Sequence, residues 1–309
     1  PVALADLHHH RAQLRTPLAL KHSLGTLYNM PPPTQGLVSL LILGILDVLD
    51  IGKVDPAGAD YVHLAVEATK QAFGIRDRRI TDPACMTVDA QSFLALETVR
   101  ELSARIDRGK AAPWGAGQGP ADTVWMGVTD SAGRAVSMIQ SIYHELGSGL
   151  VLERPGIKWQ NRGCSFSLDE HALNFLRPGR KPFHTLNPAL AIFNDGRTMV
   201  YGTMGGDGQP QTQCAVFTRA AVFGMGPQAA ISAPRWLLGR TWGQASDTLK
   251  LEARFSAEVV ATLRRYGHEV EVLQDYDEVM GHAGAVIRHP NGVFEGGADP
   301  RSDGSVATF

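Results

Sequence analysis

The chain has 309 residues, a formal net charge of −2 and 44% hydrophobic residues. This length can bury a substantial core as one large domain or two closely associated ones, and the near-neutral charge gives no electrostatic reason to expect nucleic acid or an anionic membrane as partners. The longest apolar run, residues 37–49, contains Ser39, Gly44 and Asp47. It is too short and too interrupted to span a bilayer, so we expect no nucleic-acid partner and no membrane partner.

The cysteines give information about the compartment. Cys85, Cys164 and Cys214 match no metal-binding spacing, and one of them would remain unpaired in any disulfide scheme. This pattern favours a reducing environment. We therefore predict a cytoplasmic protein, with a periplasmic location as the alternative, and expect neither a metal nor a cofactor.

The first part of the chain, up to about residue 110, is predicted to be helical. The apolar patterns indicate helices at residues 37–49, 60–73 and about 90–106. The triplet His8-His9-His10 is interpreted as a solvated helix face. The second helix is expected to present one apolar face, formed by Val62, Ala65, Val66, Thr69 and Phe73.

The part of the chain from residue 123 onward is predicted to be rich in strands. Two hairpins are expected, one around the turn at residues 130–133 and one around residues 194–196, where the Asp-Gly pair is typical of a primed turn. The four hairpin strands span residues 124–129, 134–142, 189–193 and 198–203. The other predicted elements are helices at 209–223, with Pro210 in the first turn, and 256–266, and strands at 269–273 and 283–288.

The junction between the two parts carries the first chemical signal. A Pro/Gly-rich stretch, residues 111–122, ends at Thr123, which opens a predicted strand. If the chain is cut there, Thr123 carries a nucleophile and a base together. An α-amine has a pKa near 8, so a useful fraction is unprotonated at neutral pH and can take the Oγ proton, directly or through a water. On local sequence alone, an ordinary linker that meets an ordinary strand is the simpler interpretation, because Thr favours strands.

A set of short motifs strengthens the chemical interpretation. Residues 122–137, which begin Asp122-Thr123-Val124-Trp125 and include Gly127, resemble the start of the small subunit of the gamma-glutamyltransferase family, the Thr-type N-terminal-nucleophile hydrolases. Residues 30–36 resemble the proline-rich turn late in that family's large subunit. Because the motifs are collinear across nearly the whole chain, they are far more specific together than any one alone. The further matching segments are Gly147-Ser148-Gly149, Gly156-Ile157, Gln160-Asn161, Arg180-Lys181-Pro182, Asn187-Pro188-Ala189, residues 202–206, Ala233-Pro234-Arg235 and Asp299-Pro300-Arg301-Ser302.

The resemblance implies an architecture and a processing step. It implies a four-layer αββα sandwich, where periodicity alone indicates only α+β. Residues 1–122 correspond to the C-terminal part of the large subunit and residues 123–309 to the catalytic small subunit, both from one precursor that is cut between Asp122 and Thr123. The family's large subunit is much longer than 122 residues, and the chain starts at Pro1 without an initiator Met. We therefore interpret the chain as a fragment that lacks its N-terminal part, together with any export signal.

The pair Gly205-Gly206 is the second piece of candidate chemistry. Acyl transfer passes through a tetrahedral oxyanion, which backbone N–H groups can stabilise, and paired glycines let both groups turn toward one point. The pair follows a predicted strand and precedes a predicted helix start, whose positive dipole end adds to the effect. A phosphate loop is the competing interpretation, but residues 202–208 lack the Lys-Ser/Thr pair that such a loop requires. The resemblance also implies that Ser141, eighteen positions after Thr123, orients the nucleophile.

The chain departs from the family pattern where the family holds the substrate head group. Tyr143 replaces a side-chain amide two residues after the orienting hydroxyl. Arg162 and Ser165 replace a Gln or Glu and the Asp that grips an α-ammonium, and His184-Thr185 replaces a Ser-Ser pair that binds the α-carboxylate. Losing the acid and gaining an Arg shifts the preference of this site from ammonium toward carboxylate.

Three functional hypotheses follow. The first is an enzyme that cleaves and transfers γ-glutamyl groups, from glutathione or γ-glutamyl amides, to water or an amine. The second is an acylase of the glutaryl-cephalosporin type, which hydrolyses amides of dicarboxylic acids that have no α-amine. The third is an uncleaved, non-catalytic binding protein. Formation of a free Thr123 amine separates the third from the others, and we rank the first slightly above the second.

Overall fold

A computed structural model describes residues 3–115, 122–239 and 246–309 and contains both helices and sheets. The α-helices are α1 (Leu4–His9), α2 (Gly36–Val48), α3 (Ala59–Arg79), α4 (Leu96–Ala104), α5 (Gln209–Phe217), α6 (Pro227–Ser232) and α7 (Ala257–Arg265). The strands are β1 (Leu18–His22), β2 (Gly25–Asn29), β3 (Asp122–Thr129), β4 (Ala135–Tyr143), β5 (Val151–Leu152), β6 (Ile157–Lys158), β7 (Ala189–Phe193), β8 (Thr198–Thr203), β9 (Trp236–Leu238), β10 (Leu249–Glu252), β11 (Val270–Leu273), β12 (Ala283–Arg288) and β13 (Phe294–Ala298). These elements confirm the α+β prediction.

A six-stranded antiparallel sheet with the order β1-β2-β7-β8-β12-β13 forms the centre of the fold. Successive side chains of β8 point to opposite faces of this sheet. Tyr201 packs against Phe217 of α5 on one face, whereas Gly202 lies directly beneath Trp125 of β3 on the other. The helices therefore cover one face of the sheet, and the hairpin β3–β4 covers the other.

Helix α2 lies at the core, as its composition predicts. Every residue from Gly36 to Leu46 is buried, because the helix packs between the sheet and the helices α3 and α4. A helix that is apolar all round is stable only in such a position. The expected helix at 37–49 is confirmed.

The other helical predictions were correct in kind but not always in extent. The face of α3 predicted to be apolar is buried, and the helix continues six residues further, to Arg79. The segment predicted as one helix at 90–106 is instead a 3-10 helix, Ala90–Leu94, and α4, separated by Ala95 in an extended conformation. The predicted helix 209–223 changes at Thr218 from α-helix to a single π-helical turn, and α7 begins after its N-cap Ser256 as expected.

Both predicted hairpins are present, and one turn differs from expectation. The turn between β7 and β8 has a positive φ at Gly196 but not at Asp195. A primed turn of the Asn-Gly or Asp-Gly type requires a positive φ at both positions. The prediction of a primed turn was wrong: residues 194–196 form a three-residue loop closed by the Phe193 N–H to Arg197 carbonyl bond at 2.9 Å.

The hairpin β1–β2 was missed by the helical interpretation of residues 1–110. Its inward positions are short apolar alternations, Leu18 and Leu20 on β1 and Leu27 on β2, which are too brief to stand out beside the strong helical patterns that follow. Strand β2 pairs with β7, with Gly25 opposite Phe193. The two parts of the chain thus share one sheet, and the boundary at 122/123 stays a prediction.

Three smaller features complete the description. His8 and His9 lie exposed on α1 and His10 caps its C-terminus, as expected for a solvated face. Cys85 and Cys164 are exposed free thiols and Cys214 is a buried one. Within residues 3–115, 122–239 and 246–309, no helix is both long enough and apolar enough to cross a membrane.

Candidate active site

Thr123, near the start of β3, and Ser141, near the end of β4, are in direct contact at the open end of the hairpin. The Thr123 hydroxyl donates a hydrogen bond of 3.1 Å to Ser141 Oγ, which also accepts the Tyr143 backbone N–H at 2.9 Å. The pairing of β3 with β4 shifts register between Asp122 and Val124. Such an irregularity re-aims a side chain and is common beside active sites, and here it falls at Thr123.

The packing of β3 on β8 places Thr123 toward the glycine pair. Gly127 lies over Val200, and Trp125, two residues earlier, lies over Gly202. Thr123 is half-buried like Trp125 and Gly127, whereas Val124 and Met126 between them are exposed. Thr123 therefore lies on the same side of β3 as Trp125, and the progression leads past the end of β8 to the residues just before the glycine pair. The fold therefore brings the predicted nucleophile and the predicted oxyanion loop to the same end of the sheet.

The glycine pair has the backbone conformation that its proposed role requires. Gly205 has φ 123° and Gly206 has φ 50°, a region that residues with a Cβ rarely adopt. Among the residues that the structure describes, neither N–H group donates a hydrogen bond. The loop leads into the 3-10 helix Gly206–Gly208 and then into α5, so both amides lie next to the positive end of a helix.

A buried polar network, not anticipated from the sequence, holds this loop in place. Gln35, which is fully buried, donates from Nε2 to the Gly206 carbonyl at 2.7 Å and to the Thr185 carbonyl at 3.2 Å. Arg76 pairs with Asp207 at 2.9 Å and also reaches Gln35 Oε1 at 3.4 Å. The proline-rich turn had been identified by resemblance, but the role of its Gln could only be found from these long-range contacts.

The predicted head-group residues also come together. Arg162, in the 3-10 helix Arg162–Ser165, is buried, and its guanidinium carbon lies 4.7 Å above the Tyr143 ring. Tyr143 has φ 79°, and the Ser165 side chain is near enough to its hydroxyl to influence its pKa. His184 is near enough for the Arg162 charge to influence its pKa. Thr185 is linked to Gly206 through Gln35.

Several buried polar atoms of this pocket lack partners among the described residues. They are both terminal nitrogens of Arg162, Nδ1 of His184 and Oγ1 of Thr185. Buried polar groups are nearly always hydrogen-bonded, so a group of exceptions requires an explanation. Arg162 lies over Tyr143, whose backbone N–H binds Ser141 beside Thr123, and unpartnered polar groups in such a position are suited to a polar, anionic ligand.

The electrostatics of the pocket agree with an anionic ligand. Burial lowers the pKa of Arg162 to about 10, so the guanidinium stays charged at neutral pH. Burial, with a smaller contribution from Arg162, lowers the pKa of His184 to about 3, so this imidazole is neutral. Burial raises the pKa of Tyr143, which keeps its hydroxyl protonated. The pocket thus offers one fixed positive charge and neutral donors.

A different cluster has the residue types of a metal site. The ligand atoms of His63, Glu67 and His268 lie within 4.8 Å of one another. These atoms already have partners: His63 Nδ1 and His268 Nε2 are 2.8 Å apart, and Lys70 Nζ lies 2.7 Å from Glu67 Oε1. The Lys70 ammonium occupies the place that a cation would take beside Glu67, so the cluster is better explained as a structural network.

One predicted site region lies partly outside the described residues. The Pro/Gly-rich linker is described only to residue 115, and residues 116–121 are not described. The backbone of Asp122 pairs with Tyr143 at the start of β3.

Comparison with known proteins identifies the family of the chain. The gamma-glutamyltranspeptidase family profile matches residues 1–309. The chain is 60% identical over its full length to the oxamate amidohydrolase proenzyme of Klebsiella pneumoniae, of which it covers 58%. It is 40% identical over 99% of its length to a glutathione hydrolase-like proenzyme, YwrD, of Bacillus subtilis, again covering 58% of that protein.

A solved structure extends the comparison to the fold. The crystal structure of a cephalosporin acylase from Bacillus halodurans matches with a TM-score of 0.85 and 33% identity, over 99% of this chain and 55% of that one. This match confirms the predicted N-terminal-nucleophile hydrolase fold. The chain spans little more than half the length of each of these three relatives. The chain belongs to the gamma-glutamyltranspeptidase family of N-terminal-nucleophile hydrolases.

Proposed function

We propose that the full-length protein is a self-processed N-terminal-Thr amidohydrolase that acts on amides of small dicarboxylic acids, with oxamate as its best substrate. The observation that carries this proposal is Arg162, a buried guanidinium with no acidic partner among the described residues, stacked on Tyr143 near the Thr123–Ser141 pair. A substrate carboxylate supplies the missing counterion. The 60% identity to an oxamate amidohydrolase proenzyme supports the same substrate.

Processing would free the amino group of Thr123. Thr123 Oγ attacks the carbonyl carbon of Asp122, the C–N bond breaks as the Thr123 amine forms, and water hydrolyses the resulting ester to leave an Asp122 carboxylate. The new α-amine is then the base for turnover. The proenzyme names of relatives at 60% and 40% identity support this step.

Turnover would use the same oxygen. Thr123 Oγ attacks the amide carbon of the substrate while its proton passes to the α-amine, and the N–H groups of Gly205 and Gly206 stabilise the oxyanion. Ammonia leaves with that proton, and water then releases the acid from the Thr123 ester. In oxamate the carboxylate is bonded directly to the reacting carbonyl, so Arg162 holds the substrate one bond from the reaction centre.

The γ-glutamyl hypothesis, which the sequence ranked first, now ranks below this proposal. Its support is the 40% identity to a glutathione hydrolase-like protein. A γ-glutamyl substrate carries an α-ammonium, and a guanidinium such as that of Arg162 beside Tyr143 would repel it. The glutaryl-type alternative has no such conflict, and the cephalosporin acylase structure supports it.

The test is ammonia release by the full-length protein from oxamate, glutaramate and L-glutamine. All three lose the same leaving group; glutaramate and glutamine differ only by the α-amine, and oxamate and glutaramate differ in chain length. We expect kcat/KM to fall in the order oxamate, glutaramate, glutamine, and N-terminal sequencing to find a fragment that begins at Thr123. Thr123→Ala should stay uncut and inactive. A hundredfold preference for glutamine would contradict the proposal, and an uncut wild-type protein would favour a non-catalytic binding role.

A further inference from the structure

The segment immediately before the predicted cleavage site is held by one face of α3. We call residues 107–115 the upstream arm, and His63, Glu67 and Lys70 the α3 clamp. The spacing of the three clamp residues, four and then three positions, puts them on one side of the helix. All three are buried.

Each clamp residue binds the main chain of the arm. His63 Nε2 contacts the Asp107 carbonyl at 2.8 Å. Glu67 Oε2 accepts the Ala112 N–H at 3.1 Å, and Lys70 Nζ donates to the Ala112 carbonyl at 2.6 Å. Both backbone groups of one arm residue are therefore bound by a buried ion pair, whose members are 2.7 Å apart.

Two further contacts extend the hold on the arm. The Ala111 N–H donates to the Tyr266 carbonyl at 2.7 Å, and the Trp114 ring lies 5.6 Å from the Phe73 ring, one turn further along α3. Burying two charges is costly unless they are well paired and hydrogen-bonded. Here that cost is offset by contacts to a single stretch of chain, and these contacts fix the arm up to Trp114.

We propose that the α3 clamp positions the upstream arm for self-cleavage. This inference rests on the proposed cleavage between Asp122 and Thr123. Seven residues lie between Gly115 and Thr123, so the Cα atoms of these two residues are at most roughly 28 Å apart. Strand β3 fixes one end of that connection and the clamp fixes the other, which restricts the conformations open to the scissile peptide. His63, Glu67 and Lys70 act as positioning residues through the arm.

The experiment compares self-cleavage rates of full-length precursors by intact mass, after rapid purification. Lys70→Met should slow cleavage about tenfold or more, because an arm that is released lowers the fraction of molecules in the reactive geometry. Hydrogen exchange at residues 108–115 should become faster in the same variant. Trp114→Ala loosens the arm from its own side, without disturbing the buried charges of α3, and should slow cleavage in the same direction.

Two controls separate positioning from stability. Lys53→Met removes an exposed pair with Asp50 at the same i, i+3 spacing and should leave the rate unchanged. Glu252→Gln breaks a buried ion pair with Arg301 and should lower Tm without accelerating exchange in the arm. If the wild type cuts and both Lys70→Met and Trp114→Ala cut at its rate, the clamp is overturned and the proposed function stands. If the wild type stays intact, both are overturned.

Discussion

Two regions of this protein bury arginines in opposite ways. In the C-terminal ion-pair cluster (Arg235, Glu252, Asp299 and Arg301), every guanidinium has an acid. Asp299 pairs with Arg235 and, at 3.0 Å, with Arg301, which also binds Glu252 at 2.5 Å. Arg162, among the predicted head-group residues, is also buried but has no acidic partner among the described residues and lies over the Tyr143 ring.

The difference distinguishes a cluster that stabilises the fold from an arginine that is able to bind a ligand. Burial raises the pKa of Asp299, but Arg235 and Arg301 outweigh it and hold that pKa below its ordinary value. The cluster is electrostatically complete and joins the C-terminal motif to β10 and to the start of β12, where Asp299 accepts the Ala283 N–H at 2.6 Å. Arg162 has no acidic partner among the described residues, and burial lowers its pKa to about 10. The carboxylate of a ligand would be such a partner.

The largest effect on stability should come from the complete cluster. Asp299→Asn removes the acid that neutralises Arg235, and breaking a buried pair from one side should cost about 3 kcal/mol of unfolding free energy. Denaturant unfolding of the full-length protein measures it, and kcat of the folded fraction should stay within about twofold of the wild type. As a control, Asp130→Asn breaks an exposed pair with Arg134 and should leave the midpoint unchanged. A large loss of kcat with stability intact would mean that the cluster acts in catalysis.

The pocket should respond in the reverse way. Arg162→Met should lower kcat/KM for oxamate about a hundredfold or more, because the substrate carboxylate loses its counterion. It should leave the unfolding midpoint unchanged or raise it, since an unpaired buried charge is removed. The matched control is Arg219→Met, since Arg219 is also buried and packs against the rings of Tyr61 and Trp236. An Arg162→Met enzyme with normal kcat/KM would show that Arg162 does not bind the substrate carboxylate.

The pH dependence should show the smallest effect and sharpen the assignment. The α-amine must be unprotonated to act as base, so kcat/KM for oxamate should rise with pH up to about 8. Arg162 is charged below its pKa of about 10, so carboxylate binding should weaken, and KM increase, as pH rises through that value. His184, with a pKa of about 3, should add no inflection between pH 5 and 9. The residual activity of Arg162→Met should not show this increase in KM at alkaline pH. If the increase persists in that variant, another group causes it.

The local parts of the fold could be read from the sequence because their signals lie within a few residues. The apolar run of α2 and the turns of the two hairpins are such signals, and each element appears at its expected place. The hairpin β1–β2 was missed because its strands are short and are completed only by pairing with β7, more than 150 residues away in the chain.

The candidate site also has parts that the sequence predicts and parts that only the folded structure shows. The sequence by itself determined Thr123 at a linker–strand junction, the Gly205-Gly206 pair and, through resemblance, Ser141 and the replaced head-group positions. The tertiary structure decided that Gln35 and Arg76 hold the glycine loop and that Arg162 is buried with no acidic partner in the part of the chain that the structure describes. Residue types and spacing are properties of the chain, but whether a buried charge has a partner depends on groups brought together from distant segments, so only the folded structure can decide it.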